Sequence, residues 1–276
     1  MSFHRRLWHN EPVDTMDQPP SNFQPPHPPA GPRVTSLPAR LLNIFAVPGD
    51  VFDEVKSAPF RVGNWLVPVL LASTIGVISA LIVFSQPAVF QKLRERQVQK
   101  LDAGVKAGTI TREQADKTLA FSDKYFGPQT MKIAGGLGAA AGGFIRVFWW
   151  AFVLWLLALF FLKVKLPYVK LMEMVGLASM ISILGMIVTL LLTVNFGKLM
   201  SAPGLASAFG DFDVQKQNPL LLGVLVLFTF WFLGVLSSGL SRLSGAPFAR
   251  AMLLVGFYWL ISELFLLSTG FGQMVL

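Results

Sequence analysis

The sequence predicts an all-α, polytopic membrane protein with five transmembrane helices, an external helical hairpin and a disordered N-terminal tail. Three observations carry this. Hydrophobic residues make up 53% of the 276 residues and charged residues only 14%, against about a quarter in ordinary globular chains. Several apolar runs reach the roughly 20 residues that a helix needs to cross the hydrocarbon core. The third observation is the stretch VFWWAFVLWLLALFFLKVKLPYVK, Val147 to Lys170. It opens with sixteen residues that hold no charge, Gly or Pro, then breaks into Lys163, Lys165, Pro167 and Lys170 before a new apolar run at Leu171. Such a short, basic break is the tip between two antiparallel spans, and lysine-rich short loops stay on the cytoplasmic side.

The elements follow in order. Residues 1–38 are polar and hold nine prolines and all three histidines. They lack the apolar core of a signal peptide and cannot bury enough apolar surface to offset ordering entropy, so a disordered, uncleaved tail is expected. From Ala39 to Asn64, Leu41, Leu42, Ile44 and Phe45 precede Pro48, and Val51, Phe52 and Val55 follow it among Asp50, Asp53, Glu54 and Lys56. This spacing predicts two short amphipathic helices lying at the membrane interface. The first span is expected over 65–84 and the second over 133–162. Between them, loop 85–132 should form a hairpin of two helices, opened by Pro87 and by the capping box of Thr111 with Gln114. The third span is expected over 171–194, the fourth over 219–240 and the fifth over 251–269.

The second span opens in IAGGLGAAAGGF, where Gly138 and Gly142 are spaced as GxxxG and Gly135 pairs with Ala139. Small residues at this spacing let helices approach closely in lipid, within one chain or across an oligomer seam. Orientation follows from the two tight tips, which carry Lys163, Lys165 and Lys170, then Arg242 and Arg250. They place the N-terminus inside. Loop 85–132 has nine Lys/Arg against five Asp/Glu and taken alone argues the inverse; the tight tips are the cleaner signal.

The stretch LLNIFAVPGDVFDEVKSAP, Leu41 to Pro59, and the KLP of Lys165 to Pro167 resemble the Yip family of Ypt/Rab-interacting membrane proteins, in its bacterial branch. The first looks like the family's opening pattern of an apolar stretch, a Pro, a Phe-containing helix and a second Pro before the first span. The second is similar to its second-to-third-span tip. The resemblance covers about Ala39 to Thr269. The Asp-Leu-Tyr-Gly-Pro motif of the trafficking members is absent, so Rab-GTPase binding is not carried over. For bacterial members the resemblance implies an integral membrane protein that is not an enzyme, here in the cytoplasmic (inner) membrane.

Chemistry is excluded more readily than assigned. With no Cys and no His beyond residue 27, the membrane part lacks thiolate chemistry, the commonest general base and the commonest metal ligand. No HExxH, Walker or dinucleotide-binding pattern occurs, and no cofactor is expected. The net charge of +8 belongs to loops beside lipid headgroups rather than to a nucleic-acid site. Two deep ionisable residues remain, Arg146 and Glu263, and an ion pair between them is expected because a lone charge at the bilayer centre is costly. Glu173 reads as an interfacial charge beside Lys170. The expected function is a non-enzymatic scaffold acting through helix–helix and partner contacts, with the bilayer and possible homo- or hetero-oligomers as partners. The alternative is a small transporter or channel subunit with a polar path at Arg146 and Glu263.

Overall fold

The computed structural model describes residues 35–196 and 219–269, and among these all regular structure is helical. The expectations for the tail up to residue 34, the loop around Asp211 and Asp213 and the last seven residues lie outside the described residues.

Helix α1 runs Leu37–Ala46, with Pro38 in its first turn and Ser36 as the N-cap, whose side chain accepts from Ala39 N. The expected tail boundary at Pro38 therefore falls inside a helix. One residue later α2 runs Pro48–Ser57, with Asp50 in its first turn and Lys56 in its last, both matching the helix dipole. The apolar face of this pair is not spread on lipid as expected. Ile44, Val51, Phe52 and Val55 are all buried, because α1 docks on the third span and α2 on the fourth. Protein, not the bilayer, covers that face.

Among the described residues, five helices are long and apolar enough to cross a membrane. They are α3 (Gly63–Phe84), α6 (Pro128–Leu157, continued by a π turn over Ala158–Leu162), α7 (Tyr168–Phe196), α8 (Pro219–Ser244) and α9 (Phe248–Thr269). Each starts at or before the expected residue, α6 at Pro128 rather than Ile133. Helix ends carry polar residues past the apolar run, since backbone hydrogen bonding continues into the headgroup region. The π turn closes on Lys163, the one described non-glycine residue with positive φ (59°), and Val164 N donates to Ala158 O at 3.1 Å.

Helix α7 is the axis of the bundle: half of its apolar window is buried, against 11% for α9 at the periphery. Helix α3 packs on α6 and α7, α8 on α7, and α9 on α8. Two glycines permit the closest crossings. A Cβ on Gly176 would overlap Trp65 Cα, and one on Gly239 would overlap Met174 Sδ. The core between the helices is filled by Phe52, Leu154, Leu171, Leu177, Leu233 and Leu236, all fully buried.

The expected hairpin is present as α4 (Pro87–Lys106) and α5 (Arg112–Tyr125). Thr111 and Gln114 make the capping box in both directions. The two helices are tied by exposed pairs, Arg94 with Asp123 and Arg112 with Asp102, each at 2.6 Å. Exposed pairs of this kind contribute about 0–1 kcal/mol each.

Candidate functional site

Buried charges are the informative feature of a membrane bundle, because each must be matched. Here they gather where α1 and α2 meet the ends of α3 and α7. Arg40 is only 1% exposed and Glu173 is fully buried. Arg40 lies one helical turn before Ile44, so it shares the buried face of α1. Glu54 falls on the buried face of α2, three residues after Val51.

The hydrogen bonds form a closed circuit. Arg40 Nε donates to Glu54 Oε1 at 3.1 Å, and Thr35 N donates to the same oxygen at 2.9 Å while its hydroxyl donates to Glu54 Oε2. Arg40 Nη2 donates to Thr35 O and Nη1 to Asn64 Oδ1, both at 2.8 Å. The Asn64 amide then donates to Glu173 Oε1 at 2.8 Å, as does Arg61 N. Glu173 Oε2 lies 3.1 Å from Lys170 Nζ. That contact is a Coulombic one, since Oε2 accepts no hydrogen bond by geometry. Lys170 Nζ instead donates back to α2, to Val55 O at 2.8 Å and Ala58 O at 2.6 Å. These carbonyls are the unpaired C-terminal ones, where a cation also complements the helix dipole.

Two cations and two carboxylates thus cancel in a ring that joins four helices. Asn64 is its hinge, accepting from one charged group and donating to another. The crossing at Gly176 brings Asn64 beside Glu173, since Asn64 O lies only 2.8 Å from where a Gly176 Cβ would stand. A second, half-exposed clasp holds the other side of α2: Arg242 Nη1 lies 2.9 Å from Asp53 Oδ2, and Lys56 Nζ donates to Arg242 O at 2.9 Å. No group of three or more metal-ligating side chains occurs among the described residues.

The expected site residues fall into three sets. Of the tip bases, Lys170 and Arg242 are the residues that hold α2, while Lys163, Lys165 and Arg250 are exposed. Of the small residues, Gly135 packs on Phe84 and Ala139 on Gly76, both partners in α3, whereas Gly138 and Gly142 face open space. Arg146 and Glu263 are not brought together. Arg146 Nη2 donates to Ser182 Oγ at 3.1 Å and the guanidinium lies 5.2 Å from the centre of the Phe232 ring. Glu263 is exposed on α9. The reason is geometric: the Arg146 guanidinium is turned toward α7 and α8, bonded to Ser182 and packed with Trp150 on Phe232. Sequence reasoning passed over Arg40, Glu54 and Asn64. The available signal was their position on the apolar side of each helix, where a solvated charge would not be placed.

A family model, the Yip1 domain, matches residues 42–270 of the chain. The chain belongs to the Yip1 domain family. No curated protein and no solved structure matched it. As a Yip1-domain protein it is an integral, multi-pass membrane protein. The match takes in Glu54, Asn64, Lys170 and Glu173, and stops two residues short of Arg40.

Proposed function

We propose that this Yip1-domain protein is a non-enzymatic scaffold of the cytoplasmic membrane. Its N-terminal side faces the cytoplasm, and it presents a fixed helical platform to partner proteins. The observation that supports this reading is the closed charge ring. Its four charges are spent on one another and on backbone carbonyls, and none is left to bind, polarise or relay a solute. Such a ring is costly to bury, and its effect is to hold α1 and α2 in one position. The basic tips that share its side support reading that side as the cytoplasmic one.

The test uses the full-length chain, tagged and purified from native membranes beside an Asn64→Leu variant. Asn64→Leu removes the hinge amide without adding charge. A protein that co-purifies with the first and is lost from the second, with both inserted to equal levels, is the expected result. Ion- or proton-coupled flux through reconstituted vesicles, with no protein dependent on the platform, would replace the scaffold by a transporter.

A further inference from the structure

The α4–α5 hairpin carries an apolar feature that its own packing does not explain. Ala115 is buried and Ser122 donates to Gln97 at 2.9 Å, which marks the side of α5 turned to α4. Phe121 and Tyr125, one turn apart, lie about 80–120° around the helix from that side. They are 57% and 49% exposed, and Phe126 is 47% exposed. The Phe121 ring stands 4.7 Å from Tyr125 and 6.2 Å from Phe126. Gln114 and Thr118 continue the same ridge, so it holds no charge, and Glu113, Asp116, Lys117, Asp123 and Lys124 fall on the other sides of α5.

Place along the bundle identifies the occupant. Trp65 to Phe84 carry no charge and make about 30 Å of helix, the thickness of the hydrocarbon core. Asn64 closes one end of that stretch at the charge ring, so Phe84 marks the opposite boundary. A Cβ on Gly135 would meet the Phe84 ring, so Gly135 of α6 stands at that boundary too. Helix α4 starts at Pro87, about 4.5 Å farther out than Phe84, and α6 starts at Pro128, about 10 Å out from Gly135. The headgroup layer is about 5–7 Å deep. Only Phe126 and Gly127 separate α5 from α6. The paired ends of the hairpin, where Arg94 meets Asp123, therefore stand at the headgroup surface, and Gly108 turns the chain at the far end.

Amphipathic rings concentrate at that level. Loop 85–132 has nine Lys/Arg against five Asp/Glu, and Lys124 lies over the Tyr125 ring, 5.2 Å from its centre. An uncharged aromatic ridge flanked by bases matches an anionic lipid surface. We infer that Phe121, Tyr125 and Phe126 seat the hairpin on the bilayer at the end opposite the charge ring, with their rings among the headgroups of anionic phospholipid and Lys124 beside the phosphates. Neither the charge ring nor the scaffold reading enters into this seating.

The chain has no Cys, so a single nitroxide label reports one position in the full-length protein reconstituted in vesicles. One label is placed on the ridge through Phe121→Cys, which leaves Tyr125 and Phe126 intact. The other is placed through Ala120→Cys, at the same height on another side of α5. Both positions are exposed. In phosphatidylcholine mixed with phosphatidylglycerol, the label at 121 should be several-fold less accessible to a water-soluble nickel chelate than the label at 120, and more accessible to oxygen. Adding Tyr125→Ser and Phe126→Ser should raise nickel access at 121 to the level at 120. Equal nickel access at the two positions with the rings intact would overturn the inference. Protection at 121 that fades as the protein is diluted in lipid would also overturn it, because a second copy would then be what covers the ridge. Protection unchanged when phosphatidylglycerol is withheld would overturn the assignment to anionic lipid.

Discussion

Arg40 illustrates how a charge is made tolerable inside a bundle. Its guanidinium uses all three nitrogens, on Glu54, Asn64 and Thr35. Replacing it by Ala leaves the Glu54 carboxylate without its counter-ion and the Asn64 carbonyl without a donor. Breaking a buried pair by removing one partner costs about 3–5 kcal/mol. Arg40→Ala should lower unfolding stability in detergent by about that much. Arg40→Met combined with Glu54→Leu should cost far less than the sum of the two single changes, and strict additivity would mean that the residues are not coupled. Glycines make a matching contrast. Gly176→Ala pushes a methyl into the Trp65 backbone and should cost at least about 1–3 kcal/mol, as overpacking does. Gly138→Ala meets nothing within 4 Å. It should leave the unfolding midpoint unchanged or raise it slightly, since Ala is the better helix former by about 1 kcal/mol.

Among the elements, α1 and α2 differ most from what their sequence suggests. Each is 10 residues long, too short to hold its helical shape alone in water. Packing and the ring supply the missing stability, so α1 and α2 should gain protection from hydrogen exchange together with the first turns of α3 and α7. The α4–α5 hairpin is the opposite case, with its helices capped locally and tied by exposed ion pairs. Gly108, at φ 69°, turns the chain between them. Limited proteolysis of the inserted protein should cut first near Ala107 to Thr109 and leave the spans intact. Cleavage starting inside α4 would contradict two folded helices.

For the whole molecule, the ring ties topology to fold. Helices α1 and α2, the start of α3, the α6–α7 tip and the α8–α9 tip all lie at one end of the bundle, through Lys170 on α2 and Arg242 on Asp53. The basic residues from which the sequence reads an orientation are in part the residues that hold α2. An outside-only reporter enzyme fused after Leu276 should therefore be active, and the same reporter fused ahead of Thr35 silent. The reverse pattern would show that the bases of loop 85–132 govern insertion instead.

What the sequence by itself determined is the set of features that are local along the chain. Five runs of sufficient length and apolarity, the breaks at Lys163 to Lys170 and at Gly245, and the Thr111–Gln114 box specify helices, tips and hairpin, because helix formation and partition into lipid depend on neighbours within a few turns. Lys170 beside Glu173 was legible for the same reason, being three residues apart. The tertiary structure alone decided which distant charges meet. Arg40 finds Asn64 across 24 residues and Asn64 finds Glu173 across 109, through a helix crossing that depends on one glycine. Arg146 was assigned to Glu263 on depth, yet depth is a single coordinate. Which way each side chain points around the bundle is set by packing, and Phe232 and Ser182 settle it for Arg146.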